Sequence, residues 1–333
     1  MAAPKIYFGT VLFNADQGYK SAEDVKPWLD ALLESKDAIS GVDTAVAFRE
    51  CQDYLGQLKF ASHFSISTKV TGGAHPMLTA TKDNVIAQAK DCLNKLGVQQ
   101  VDVLYLQAPD ARVPFEETLA AIDSLYKDGV FKRFGISNHT GEQIEQVVQI
   151  CQSKGFVVPS VFQGSYNAIA RLPETQLLPV LRKHNIAFVA YSPIAGGFFA
   201  KTSQQFRDQS LQGRWDKAGL FGKLYQFQYN KPAALEALDK WHEIAKAEGI
   251  SGVEMAYRWL AHNSALDASK GDGMIVGAST VEQWRSNLAA IKKGPLSAAV
   301  AAKIDALWAP LQAGSVLDNF HAVKALMGAG PPK

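Results

Sequence analysis

Eight short runs of β-branched and aromatic residues recur along the chain, at 6–13, 41–45, 64–70, 101–107, 131–137, 157–163, 186–192 and 274–279. Most are continuous apolar stretches, the pattern of parallel strands covered on both faces. Helical stretches lie at 21–35, 83–96, 116–128, 142–154, 174–184, 253–262 and 281–291. The first opens on Ser21-Ala22-Glu23-Asp24, which reads as a capping box. Strand followed by helix about eight times implies parallel strands joined by right-handed crossovers. The expected fold class is therefore α/β. Two architectures compete, a closed (β/α)8 TIM barrel and an open doubly wound sheet. Polar residues gather at the strand C-terminal ends: Asp43, Lys69, Gln107, Ser137, Asn138, Gln163, Ser192 and Ser279. In a barrel all of these converge on one mouth, whereas an open sheet spreads them along an edge. No Gly-x-Gly-x-x-Gly follows the first strand and no P-loop occurs, which weakens the open-sheet reading. The prediction is one domain over residues 1–333, a barrel with a long insertion after the seventh strand.

Length and charge fit that expectation. The chain has 333 residues, 47% of them hydrophobic and 20% charged, with a net charge of +2. This excludes disorder for most of the length and offers no electrostatic attraction to nucleic acid or anionic membrane. No run approaches the roughly 18 apolar residues of a spanning helix. Three scattered cysteines, Cys51, Cys92 and Cys151, form neither a disulfide framework nor a zinc pattern, and no metal is expected. The N-terminus lacks the apolar core of a secretory signal, and the tail Pro331-Pro332-Lys333 is no prenylation or peroxisome signal. A cytoplasmic protein is the expectation.

Residues 197–233 break the alternation. They hold Lys201, Arg207, Arg214, Lys217 and Lys223 among Trp215, Phe221, Tyr225, Phe227 and Tyr229. Long barrel loops often serve as lids or substrate loops. A solvated segment with a small satellite core is the alternative.

The strand-end motifs resemble successive blocks of the aldo-keto reductases. The blocks are Asp43-Thr44-Ala45, Ser67-Thr68-Lys69, VDVLYLQAPD at 101–110 and FGISN at 134–138. Then come FQGSYN at 162–167, Tyr191-Ser192-Pro193, and GASTVEQ at 277–283 with NLAA at 287–290. Their order and spacing fit from about residue 5 to 310. The stretches at 163–171 and 193–197, with Gly213-Arg214, resemble the aflatoxin-aldehyde and succinic-semialdehyde reductase branch. The resemblance implies an NADPH-dependent reductase on a (β/α)8 barrel.

Family members reduce carbonyls with a Tyr, Lys, Asp and His at the barrel mouth. Hydride passes from the nicotinamide to the carbonyl carbon. The Tyr hydroxyl protonates the oxygen, and a buried Lys paired with Asp lowers the Tyr pKa. By resemblance, Asp43 and Lys69 match the Asp and Lys. The Tyr position, five residues after Asp43, is Phe48, and the His position is Gln107. Phe48 has no hydroxyl, and Gln107 bonds hydrogen without titrating. Tyr54, six residues beyond Phe48, is either a packed aromatic or a substitute hydroxyl. Arg49 and Glu50 are either replacements above the site or a solvated loop pair. Three readings follow. Hydride transfer persists with a substitute electrophile, such as the Lys69 ammonium or a water; the chemistry has moved to a conjugated, iminium-like or redox-neutral reaction; or the barrel binds cofactor without catalysis.

The resemblance assigns Ser137, Asn138 and Gln163 to the nicotinamide carboxamide, and Tyr191 to stacking on its ring. It brings Ser192, Ile194 and Gly196 to the pyrophosphate with Arg214 as clamp. Ser279, Gln283 and Asn287, at i, i+4, i+8 spacing, fall to the adenosine and its 2′-phosphate. Other branches carry Lys where this chain has Gly277 and Arg where it has Gln283. Candidate substrate contacts are Phe13, Phe48, Arg49, Gln107, Arg112, Phe221, Tyr225 and Tyr229. They suggest an aromatic-lined, partly cationic pocket for a polyketide-like or aromatic carbonyl compound of secondary metabolism. The expected assembly is a monomer or homodimer.

Overall fold

The computed structural model describes residues 4–75 and 77–328. The first three and last five residues, on which part of the reading of the termini rests, lie outside the described residues. Eight parallel strands close into a barrel in sequence order: β1 (Lys5–Gly9), β2 (Gly41–Asp43), β3 (Ile66–Val70), β4 (Val101–Leu106), β5 (Phe131–Ser137), β6 (Val161–Ser165), β7 (Ala187–Tyr191) and β8 (Gly273–Val276). β8 pairs back onto β1, which leaves no open edge. The closed barrel, not the open sheet, is thus the architecture.

Helices α1 (Ala22–Glu34), α2 (Cys51–Gln57), α3 (Lys82–Leu96), α4 (Phe115–Lys127), α5 (Gly141–Lys154), α6 (Pro173–Gln176) and α7 (Leu178–Lys183) follow the first six strands. Local chemistry sets their ends. Asp24 Oδ2 accepts the Ser21 backbone N–H at 2.9 Å, so the predicted capping box starts α1. Thr140 and Gln143 form the same device at α5. Gly97 and Gly155 close α3 and α5 in the left-handed conformation.

Several predicted elements change, among them the second and eighth strands, which end early at Asp43 and Val276. The first strand stops at Gly9, and a Phe13 N–H to Thr10 carbonyl bond turns the chain inward. The sixth begins at Val161, after Pro159 and the Val157 N–H bond to Asp123. The predicted 174–184 helix is two pieces, α6 and α7, because Pro179 lacks an N–H and disfavours helical geometry before it. The predicted 253–262 helix is α-helical only to Arg258 and then widens into a π turn, Trp259–Asn263.

After β7 come α8 (Ser203–Arg207), α9 (Leu220–Tyr229), α10 (Pro232–Ala247) and α11 (Gly252–Arg258); α12 (Val281–Lys292), α13 (Ala298–Asp305) and α14 (Asn319–Leu326) follow β8. Two hydrophobic groups result. The larger lies between strands and helices, with Phe8, Trp28 and Trp284 fully packed. The smaller fills the barrel with Tyr7, Val103, Tyr105, Val161, Ala187, Val189 and Ile275. Gly135 on β5 makes room for Tyr105, since a Cβ there would lie 2.3 Å from its ring. No helix among the described residues is long and apolar enough to cross a membrane.

Candidate active site

Strand register sets the mouth. Asp43 pairs with Ser67, Lys69 with Tyr105, Ser137 with Gln163, and Ser165 with Tyr191. The polar residues therefore lie at or just past the C-terminal ends of neighbouring strands. Lys69 Nζ lies 2.7 and 2.6 Å from the two Asp43 carboxylate oxygens and 2.8 Å from the Thr44 carbonyl. Both side chains are buried, at 4% and 5% exposure. Burial draws the Lys69 pKa below lysine's usual value, and Asp43 opposes the fall. An ammonium has three donors, and three protein oxygens surround this one. In this arrangement the Lys69 ammonium faces the Asp43 carboxylate and the Thr44 carbonyl. Nζ also sits 5.2 Å from the Phe48 ring centre and 5.6 Å from that of Tyr105.

A second chain of polar contacts crosses the mouth. Gln163 donates to Asp43 at 2.9 Å, and Ser137 Oγ donates to the Gln163 carbonyl. Tyr191 donates its hydroxyl to Asn138 Oδ1 at 2.9 Å, and Asn138 Nδ2 donates to the Gln107 carbonyl at 2.8 Å. Asn138 adopts a left-handed φ of 59°. The Gln107 side-chain oxygen is buried without a hydrogen-bond partner, an acceptor facing no protein donor. Burial raises the Tyr105 and Tyr191 hydroxyl pKa values, so both stay protonated.

Beside this lies the turn after β7. Ser192, Ala195, Gly196 and Gly197 all have positive φ, which curls the backbone tightly. A Cβ on Gly196 would meet the Tyr225 ring at 2.6 Å. The insertion packs directly onto this turn. Trp215 Nε1 donates to the Gly196 carbonyl at 2.9 Å, and Phe198 stacks on Tyr229 with ring centres 5.2 Å apart. Arg214 donates to the Tyr225 hydroxyl at 2.8 Å and lies 4.9 Å from the Phe221 ring centre. Its Nε is buried and unpartnered, a cationic donor with no protein acceptor. That orphan donor and the curled backbone suit a phosphate oxygen.

Past β8, Thr280 caps α12 by accepting the Gln283 N–H, and Gln283 Oε1 accepts the Ser279 N–H at 2.9 Å. Asn287 is buried and donates to the Gly277 carbonyl and Tyr257 hydroxyl. Ser279 lies two residues before α12, while Gln283 and Asn287 lie within it one turn apart.

Several predicted substrate contacts lie elsewhere. Phe13 is 1% exposed, its ring held among Phe8, Tyr19 and Trp28 beneath the β1–α1 turn. Tyr225 and Tyr229 are buried in the aromatic core of the insertion. That satellite core is what the apolar residues of 197–233 build. Arg112 binds the buried Asp110 and the His75 and Leu78 carbonyls, which ties two loops together. Arg49 pairs with Asp16 on the rim. Phe48 is half-buried and Phe221 exposed, so both keep free surface. Tyr54 is buried in α2, its hydroxyl on the Tyr19 carbonyl, and is a packed aromatic. Burial pushes the Cys51 thiol up to about 12, which makes it inert.

Sequence reasoning missed the C-terminal segment. Asn319 N–H donates to the Tyr191 hydroxyl at 3.2 Å, so this segment docks on the mouth. Asp318 caps α14 and accepts from both the backbone N–H and Nδ1 of His321. The Asp-x-x-His spacing was the available signal, but it lies past the last family block.

The fold and mouth together define a (β/α)8 barrel with a buried Lys–Asp pair ringed by amide and aromatic groups. The sequence matches the aldo/keto reductase family model over residues 5–309, and the chain belongs to that family. It is 35% identical to "Oxidoreductase sirO" of Leptosphaeria maculans, across 92% of this chain and 94% of that protein. It is 32% identical to "Aflatoxin B1 aldehyde reductase member 2" of Rattus norvegicus, across 90% and 84%. "Aldo-keto reductase pigE" of Monascus ruber is 33% identical over 72% of this chain and 67% of its own length.

Proposed function

We propose that this protein is an NADPH-dependent reductase of a small carbonyl or conjugated compound, with an altered proton-handling set. The buried Lys69–Asp43 pair at the mouth carries the reading, with Asn138, Gln163 and Tyr191 beside it. Ser137, Asn138 and Gln163 would hold the nicotinamide carboxamide, and the half-buried Tyr191 ring would pack on the nicotinamide. Ser192, Ile194 and Gly196 would take the pyrophosphate by backbone contacts. Arg214 would give its orphan Nε–H to a phosphate oxygen, and the 197–233 insertion would cover it. Ser279, Gln283 and Asn287 would take the adenosine end. The nucleotide, when bound, supplies the hydride.

The chain's own residues then divide the work. Asp43 fixes Lys69 at the mouth, and with the Thr44 carbonyl it engages the ammonium donors. Phe48 and Gln107 shape the substrate side, Phe48 by an apolar ring and Gln107 by its unpartnered amide oxygen. A relative named for an aflatoxin B1 aldehyde supports an aldehyde as the substrate class. A second reading, redox-neutral chemistry or nucleotide binding alone, rests on Phe48's missing hydroxyl and on Lys69's engaged donors.

Titrating NADPH and NADP⁺ against tryptophan fluorescence, then following NADPH absorbance with an aldehyde panel, tests this. Quenching and turnover are expected. Absence of binding overturns the cofactor assignment, and binding without turnover moves the protein to the second reading.

A further inference from the structure

Period-two alternation fixes which β4 residues face the mouth. Val103 and Tyr105 point into the barrel, while Leu104 and Leu106 pack outward against the helices. The Gln107 N–H still bonds the Val70 carbonyl, so the ladder reaches one residue past the strand. Gln107 therefore continues the inward row of 103 and 105. Tyr105 is in register with Lys69, which puts Gln107 one layer above the Lys69–Asp43 pair. There its Oε1 is buried and accepts no hydrogen bond from the protein. Glu50, two residues past Phe48 on the loop after β2, keeps a second buried acceptor, Oε2, without a partner. The neighbouring donors already bond protein: Lys69 Nζ holds Asp43 and Thr44, Gln163 holds Asp43, and Tyr191 holds Asn138.

A polar group seated over this layer meets an acceptor and no acid. A developing alkoxide is a poor match, since its charge calls for donors and an amide oxygen facing it repels. A protonated imine matches better. Its N–H can donate to Gln107 Oε1, and the half-buried Phe48 ring offers an apolar π face. A bare ammonium below would repel such a cation, but Asp43 cancels the Lys69 charge at 2.6 Å. We propose that the mouth has a further activity, the reduction of iminium ions, and that Gln107 selects those carrying an N–H.

The step balances without a protein acid. The iminium carbon takes a hydride from a dihydronicotinamide, which is oxidised to the nicotinamide cation. The C=N π pair moves to nitrogen, which keeps the proton it brought, and a neutral amine leaves. Phe48's missing hydroxyl therefore costs this reaction nothing, whereas carbonyl reduction must find a proton elsewhere.

This rests on the proposed nucleotide site, so fluorescence titration of NADP⁺ comes first, and a parent protein that binds none overturns both. In a binding parent, NADPH oxidation compares 3,4-dihydroisoquinolinium, its N-methyl analogue and 2-ethylbenzaldehyde. The N–H iminium should exceed the aldehyde in kcat/KM by about 100-fold, the size of a missing general acid. It should exceed the N-methyl iminium by about tenfold, the size of one buried hydrogen bond. Gln107→Met, checked for folding by NADP⁺ binding, should bring the two iminium ions to within about twofold of each other. An arm independent of turnover uses calorimetric titration of 1,2,3,4-tetrahydroisoquinolinium and its neutral isostere isochroman. The ammonium should bind the parent about tenfold more tightly, and Gln107→Met should lose that preference. An aldehyde turned over as fast as the N–H iminium overturns the inference and leaves the carbonyl reading intact. So does a Gln107→Met variant slowed on the aldehyde alone, since the amide would then be donating to a carbonyl oxygen.

Discussion

At the scale of single residues, the identity of position 48 decides whether this mouth owns a hydroxyl. The Phe48 ring centre lies 5.2 Å from Lys69 Nζ, so a phenol there would share the field of the ammonium. Phe48→Tyr combined with Gln107→His should raise aldehyde reduction, by about 10²-fold if a general acid is restored. NADPH oxidation with an aldehyde panel checks it; an unchanged rate would mean that the pocket has diverged beyond these two positions. The Lys69–Asp43 pair makes a different kind of prediction. Lys69→Met leaves a carboxylate buried without its partner and should cost about 3–5 kcal/mol. Asp43→Leu with Lys69→Met removes both charges and should recover most of that loss. Urea unfolding of the single and double variants separates lost folding from lost chemistry.

Elements explain where sequence patterns stopped short. The periodic apolar runs located every strand, because a strand buried on both faces has to be apolar throughout. They overextended the first strand, since a run of apolar residues does not say where the chain turns. Proline did: Pro159 and Pro179 mark the late start of β6 and the break between α6 and α7. The insertion was visible only as composition. Its aromatic residues pack on one another around Phe198, Trp215 and Tyr229, which buries two tyrosines taken as substrate contacts. Gly196 is the hinge of that packing, with φ at 65° and Tyr225 against it. Gly196→Ala should therefore cost about 2–4 kcal/mol, from left-handed strain and overpacking together. Gly213→Ala, at φ 64° but in open space, should cost only about 1–2 kcal/mol. Thermal unfolding compares them; equal losses would show that the Tyr225 contact yields.

For the whole molecule, burying titratable groups ties stability to pH. His139 is held neutral by burial, with its pKa down to about 4 in the folded chain against about 6.5 unfolded. Between those values the unfolded chain binds more protons, so stability rises with pH and is lost as pH falls through this window. The full contribution is on the order of 3 kcal/mol. His139→Phe should remove it, so that denaturant curves taken at pH 7 and pH 4.5 differ less than those of the parent. An equal pH slope in both proteins would refute the assignment. The sequence by itself determined the eightfold strand–helix order, the family, and the positions of Asp43, Lys69, Asn138 and Gln163, because strand ends are spaced by local periodicity and close on one mouth. Tertiary structure alone decided that Lys69 is enclosed by protein oxygens and that Phe13, Tyr225 and Tyr229 are core. It also decided that a C-terminal segment 275 residues from Asp43 (318 against 43) stands on the same rim. Hydrogen-bond saturation and burial depend on what the rest of the chain brings near, and no local pattern encodes that.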